Sequence, residues 1–231
     1  MIIGIIGGLS AESSAKYYSW LNREVYERSG GKFYPKILLS SVDFEEFVAL
    51  KKAGDWDSQA ALLCAEAERL EKAGAQLIIL ATNTMHKMAD QIIASISVPF
   101  LHLADATAER IVASGQKCTG LLGTIYTMEE DFYKSRLEEK GLEVVVPEAE
   151  DRKIVNDIIY DELVKGVSSD TARLEYQRII KTLQQKGAQG IILGCTEINM
   201  AVDKTTTPLS IYDTTLIHVE ETAKLAAVTS I

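Results

Sequence analysis

Apolar positions along this chain follow two patterns. Short aliphatic runs recur at residues 2–6, 37–41, 77–80 and 100–103, and again at 120–122, 144–146, 190–193 and 209–212. They lack helical spacing and read as strands buried on both faces. Between them lie stretches such as 57–72 and 170–186, where apolar residues return at helical spacing among charged ones. Alternation of the two predicts an α/β fold built on parallel sheets. Such sheets gather ligands at the carboxyl ends of their strands, which is where Ser10, Thr82, Thr124 and Cys195 fall.

The pattern also repeats. Gly74-Ala75-Gln76-Leu77-Ile78-Ile79-Leu80-Ala81-Thr82-Asn83-Thr84 returns 113 residues later as Gly187-Ala188-Gln189-Gly190-Ile191-Ile192-Leu193-Gly194-Cys195-Thr196-Glu197. Gly4-Ile5-Ile6-Gly7-Gly8 matches Gly120-Leu121-Leu122-Gly123-Thr124 at a shift of 116, Tyr17 matches Tyr133 at the same shift, and Lys52 matches Lys165 at 113. Val98-Pro99-Phe100-Leu101 matches Thr207-Pro208-Leu209-Ser210 at 109. Ordered matches at this period indicate a duplicated domain, because the period is too long for a solenoid unit. The expected architecture is two pseudo-symmetric parallel α/β domains with the active site in the cleft between them, Thr82 and Cys195 holding equivalent positions. The first domain is expected over residues 1–103 plus 208–231, the last strand and helix returning after Pro208, and the second over 104–207.

Composition fits this picture. A chain of 231 residues with 47% hydrophobic content has material for ample core. Its apolar runs are too short to cross a bilayer, and Met1-Ile2-Ile3-Gly4 lacks the basic flank and cleavage site of a signal peptide. A cytoplasmic protein is expected. The three cysteines, Cys64, Cys118 and Cys195, are odd in number and unpaired in spacing, which argues against a disulfide framework or a cysteine-rich zinc site. A net charge of −9 disfavours nucleic acid and anionic membranes. It leaves room for a small anion held by local cations and backbone donors.

The candidate chemistry sits at the strand ends. The Gly7-Gly8 turn lacks the G-x-G-x-x-G spacing of a dinucleotide loop. It reads either as a plain glycine turn or as one that brings Ser10 and a helix amino end to a small anion. Cys195 ends a strand in Gly194-Cys195-Thr196-Glu197, where the amino end of a following helix would stabilise a thiolate. Cys64, among helical apolar residues, and Cys118, at a turn, read as packing groups. Thr82 is a far weaker acid. It fits both the cap of a helix starting at Asn83-Thr84-Met85 and a proton donor. His86, His102 and His218 show no metal-ligand spacing. Lys52 and Lys165 would ordinarily be solvated surface lysines, but their matched positions suggest one carboxylate-binding cation from each half. No phosphate cup for pyridoxal phosphate accompanies either of them.

In combination, Ile5-Ile6-Gly7-Gly8-Leu9-Ser10, Ser41-Val42-Asp43-Phe44, Thr82-Asn83-Thr84-Met85-His86-Lys87, Leu122-Gly123-Thr124-Ile125-Tyr126-Thr127-Met128 and Gly194-Cys195-Thr196-Glu197 make the chain resemble, over nearly its whole length, the aspartate/glutamate racemase superfamily. It is most similar to the bacterial L-aspartate/glutamate-specific branch, which carries threonine where other members have a first cysteine. The resemblance implies a cofactor-independent and metal-free racemase with Cys195 and Thr82 as the catalytic pair. It implies that Ser10, Asn83, Thr84, Thr124, Thr127 and Thr196 hold the substrate, that Lys52 and Lys165 meet its carboxylates, and that Glu197 orients either the Cys195 proton or the substrate ammonium. Expected partners are a small dicarboxylic amino acid and a second copy of the chain in a homodimer, with neither nucleic acid nor membrane. A preference for L-substrates is implied. The alternatives are a single-thiol decarboxylase or cis-trans isomerase of the same superfamily, or a catalytically weak amino-acid-binding protein.

Overall fold

The computed structural model of the protein describes residues 1–228. The chain forms two compact units, one of Met1–Leu103 together with the segment from His218 onward, the other of Ala104–Ile217. In chain order the first unit contains β1 (Ile2–Gly7), α1 (Ala11–Arg28), β2 (Lys36–Ser41), α2 (Phe44–Ala53), α3 (Trp56–Lys72), β3 (Leu77–Leu80), a 3-10 turn (Thr84–Met88) and α4 (Ala89–Ser95). There follow α5 (Leu103–Ala113), β4 (Cys118–Gly123), α6 (Ile125–Glu129), α7 (Asp131–Glu139), β5 (Glu143–Val145), α8 (Ala149–Asp161), α9 (Asp170–Gln185), β6 (Gly190–Gly194), β7 (Ser210–Asp213) and α10 (Thr214–Val228). No helix of the described residues is long and apolar enough to cross a membrane.

Both sheets are parallel, with orders β2-β1-β3 and β5-β4-β6-β7. In the first sheet β1 and β3 are apolar on both sides because both of their sides are covered, while β2 at the edge is partly exposed. Ile3 and Ile5 of β1 and Ile79 of β3 pack with Tyr17, Leu21 and Val25 of α1. Ile6, Ile78 and Leu80, on the opposite face, pack with Leu63, Ala67 and Leu70 of α3. In the second unit Leu122, Ile191 and Leu193 pack with Val155 and Ile159 of α8 and with Tyr176, Ile179 and Leu183 of α9.

Two expectations change. The strand after Pro208 does not return to the first half. β7 pairs with β6, Gly190 opposite Ser210, so the boundary lies at Ile217/His218 rather than at 207/208. Gly190 permits this pairing, since a Cβ there would stand 2.6 Å from the Tyr212 ring of β7. The segment 100–103 forms no full strand. It makes one parallel bridge, Ile78 to Phe100, flanked by hydrogen bonds from Ile78 N–H to the Pro99 carbonyl and from Leu101 N–H to the Ile78 carbonyl. Pro99 has no N–H to extend the ladder, and α5 begins at Leu103.

Each half therefore gives its closing helix to the other. Nearly all of α5 belongs to the second unit, where Asp105 pairs with Arg136 of α7 at 2.9 Å. Val219, Ala223 and Ala226 of α10 fill the core of the first unit beside Ile3, Ile5 and Tyr17.

Candidate active site

In the first unit the site is the carboxyl end of β1 and β3. Gly8 turns the chain with φ +84°, and its N–H donates to Ser14 Oγ at 2.9 Å. A Cβ there would lie 2.4 Å from the Val42 nitrogen, so only glycine fits. Ser10 caps α1, its Oγ accepting from Ser13 N–H at 3.2 Å. The Ser13 hydroxyl donates to the Ala81 carbonyl at 2.7 Å, which ties the first turn of α1 to the end of β3.

Thr82 follows directly and is partly buried. Its N–H donates to the Leu80 carbonyl, and its own carbonyl accepts from His86 Nδ1 at 2.7 Å. The expected α-helix cap at Thr82 is not what forms. The chain enters a 3-10 turn at Thr84 with Asn83 as its cap residue and no side-chain cap bond. Asn83 and Thr84 are buried. Neither Oδ1 nor Nδ2 of Asn83 has a hydrogen-bond partner. A buried primary amide left in that state costs about 1–3 kcal/mol for each unsatisfied group, which a polar ligand would recover.

In the second unit the site is the carboxyl end of β4 and β6. The Cys195 thiol donates to Glu197 Oε2 at 3.0 Å, and the Thr196 hydroxyl donates to the same oxygen at 2.5 Å. Thr196 and Glu197 are buried. Burial first, then the Glu197 carboxylate, hold the Cys195 thiol well above its ordinary pKa, against a smaller opposing effect of backbone N–H groups. The expected helix amino end is replaced by a 3-10 turn (Ile198–Met200), so the free protein carries a thiol rather than a stabilised thiolate. Tyr160 and Tyr176 both stand close enough to feel a charge on Cys195. Their hydroxyls are pushed up by burial and then by Cys195.

Across β4, Thr124 and Thr127 are buried with their hydroxyls 3.2 Å apart at the start of α6. Asn156 of α8 accepts from Ile125 N–H at 3.1 Å and fixes that turn. Lys52 and Lys165 are both exposed. Lys52 lies in the last turn of α2, two residues before Gly54 at φ 71°, whereas Lys165 ends a 3-10 turn directly before Gly166 at φ 76°, so the matched spacing does not carry a matched backbone. Ser13 and Asn156 escaped the sequence reading, and His86 was weighed there only as a metal ligand. For His86 the signal was present in its spacing of four from Thr82. For Ser13 and Asn156 there was none, because their partners lie far along the chain. Among the described residues no group of three or more His, Cys, Asp or Glu is placed to hold a metal ion.

Thr82 lies after β3, which pairs with β1, and Cys195 after β6, which pairs with β4. The sequence profile of the Asp/Glu/Hydantoin racemase family matches residues 6–222. The chain is 24% identical over 218 residues to the broad-specificity amino-acid racemase RacX of Bacillus subtilis (strain 168), covering 92% of each. A crystal structure from Yersinia pestis, described as a candidate Asp/Glu racemase, is 48% identical with a TM-score of 0.93, covering 97% of this chain and 98% of that one. An aspartate racemase homologue from Pyrococcus horikoshii OT3 is 38% identical with a TM-score of 0.84 over the same shares.

Proposed function

The chain belongs to the Asp/Glu/hydantoin racemase family of amino-acid racemases, and on that premise we propose that it interconverts the enantiomers of aspartate and glutamate, favouring the L-forms. The observation that carries the reading is the hydrogen bond from the Cys195 thiol to Glu197 at the end of β6. Racemisation removes a weakly acidic Cα proton from one face and returns a proton to the other, so it needs a base and an acid on opposite faces. We assign these roles to Cys195 and Thr82. Glu197 takes the thiol proton along the existing bond when substrate enters, and the thiolate then removes the Cα proton. The Thr82 hydroxyl supplies a proton to the other face. Overall, one C–H bond breaks and one forms, and the cycle closes when the Thr82 alkoxide takes a proton from water and Glu197 releases to water the one it holds.

The remaining residues fit a carboxylate-bearing ligand. Asn83 offers an unpartnered buried amide. Ser10, Thr84, Thr124, Thr127 and Thr196 offer hydroxyls at the strand ends, and donors there would stabilise charge developing on the carbanion. The exposed Lys52 and Lys165 serve as cations for the two carboxylates. No cofactor or metal enters this scheme, and a homodimer remains the expected assembly.

Proton NMR of L- and D-aspartate and L- and D-glutamate with the protein in D2O tests the reading. Deuterium should enter Cα of the L-forms faster than of the D-forms, and Cys195→Ser should abolish exchange from both. Thr82→Cys should raise exchange from the D-forms by supplying a second thiol. Binding without exchange, or exchange unaffected by Cys195→Ser, would overturn the assignment. Loss of CO2 in place of exchange would point to single-thiol decarboxylation.

A further inference from the structure

The three histidines of the chain come together in the first unit. The His86 ring lies 4.5 Å from that of His102 and 5.9 Å from that of His218, with Phe100 at 5.7 Å. His86 is buried, and both of its ring nitrogens have backbone partners. Nδ1 lies 2.7 Å from the Thr82 carbonyl oxygen, and Nε2 lies 3.2 Å from the Leu103 nitrogen.

Those partners fix the state of the ring. A carbonyl only accepts, so Nδ1 carries a proton. A backbone N–H only donates, so Nε2 has its lone pair. Both bonds exist together only in the neutral Nδ1–H tautomer, because the imidazolium has no acceptor for Leu103. The ring thus spans from the residue bearing the candidate acid to the point where the chain leaves the first unit. On its amino side Thr82 is held by the bond from its N–H to the Leu80 carbonyl. It stands between the end of β3 and the 3-10 turn, and the Ser13 bond holds the preceding carbonyl, that of Ala81. The His86 bond therefore holds the peptide that carries the Thr82 side chain into the turn.

We infer that His86 is a positioning residue for proton transfer at Thr82, acting through its Nδ1–H bond to the Thr82 carbonyl, and that it neither donates nor accepts the transferred proton. This inference rests on the racemase reading and on Thr82 as one of the two proton-handling groups. The two ring nitrogens make different predictions when replaced separately. An asparagine amide nitrogen takes roughly the place of Nδ1 and can donate to the Thr82 carbonyl. A glutamine amide oxygen takes roughly the place of Nε2 and can accept from Leu103 N–H. Both variants lose the ring packing against Phe100, so a purely structural role would affect them alike.

The test has two arms on the full chain. In the first, nitrogen-15 NMR of the imidazole side chains, assigned with His86→Asn, reads the tautomer of His86 without reference to activity. A protonated Nδ1 and an unprotonated Nε2 are expected, and an Nε2–H or doubly protonated ring would overturn the inference. In the second, Cα exchange is measured for wild type and both variants with each enantiomer of aspartate and glutamate. His86→Gln should lower the kcat of the Thr82-limited direction by about 10- to 100-fold at little change in KM, the scale expected for a misplaced acid. His86→Asn should keep that kcat within about threefold, and the opposite direction should change less in both variants. Equal losses in the two variants, or losses that follow Tm alone, would overturn the inference. A wild type that exchanges no amino-acid Cα proton while its His86 shows the expected tautomer would instead sink the racemase reading.

Discussion

At the scale of single residues, the site depends on what burial does to proton affinities. A free cysteine beside a helix amino end would ionise readily, but Cys195 is desolvated and faces a carboxylate, and both effects raise its pKa. Base catalysis by this thiol should therefore strengthen as pH rises. Replacing Glu197 by glutamine removes the neighbouring charge and leaves the burial. The Cys195 titration should then move down while staying above the ordinary thiol value. Thiolate ultraviolet absorbance, taken as the difference from Cys195→Ser, measures this, and a midpoint unmoved by Glu197→Gln would show that the carboxylate is not what holds the proton. The proposed pair was picked out in the sequence because Gly194-Cys195-Thr196-Glu197 repeats the position of Thr82. The protonation state was not legible, since it depends on which atoms surround the sulfur and on a turn too short to act as a helix dipole.

At the scale of elements, seven of the eight expected strands followed from periodicity, the run at 100–103 being the exception, because buried strands are apolar throughout and amphipathic helices must cover them. Which strand pairs with which was harder to see. The run that becomes β7 is aliphatic like its neighbours, and its place beside β6 depends on the missing Cβ of Gly190. The β1–α1 turn offers a direct test of such close approaches. Gly8 and Gly30 both have positive φ, but a Cβ on Gly8 would meet the Val42 backbone whereas one on Gly30 would meet nothing within 4 Å. Gly30→Ala should cost about 1 kcal/mol for its torsion alone, and Gly8→Ala more than about 3 kcal/mol because the backbone of Val42 cannot give way cheaply. Urea unfolding of the two variants checks this, and equal losses would mean that the turn tolerates a side chain.

At the scale of the whole molecule, one buried histidine makes stability depend on pH. His218 is fully buried, sharing Nδ1 with the Tyr17 hydroxyl at 2.9 Å and Nε2 with the Leu101 carbonyl at 3.0 Å. Burial lowers its pKa from 6.5 to about 4. The unfolded chain thus binds the proton more readily, and the stability tied to neutral His218 is complete above pH 6.5 and lost as pH falls toward 4. From this group alone the protein should lose about 2 kcal/mol between pH 7 and pH 5. His218→Asn keeps an acceptor for Tyr17 and should remove most of that pH dependence in urea unfolding; an unchanged slope would assign it to other groups. The duplication was visible in the sequence, and so was the trade of closing helices, α5 opening the second half at 104 and α10 returning to the first; the strand before α10, which stays beside β6, was the part misplaced. That trade sets a timetable for synthesis. As the chain leaves the ribosome, the Thr82 half is made first, yet its core lacks Val219, Ala223 and Ala226 until α10 emerges. Every strand of the Cys195 half is by then already out. The half that opens the chain is the last to close, and it must keep Ile3, Ile5 and Tyr17 from other partners while it waits.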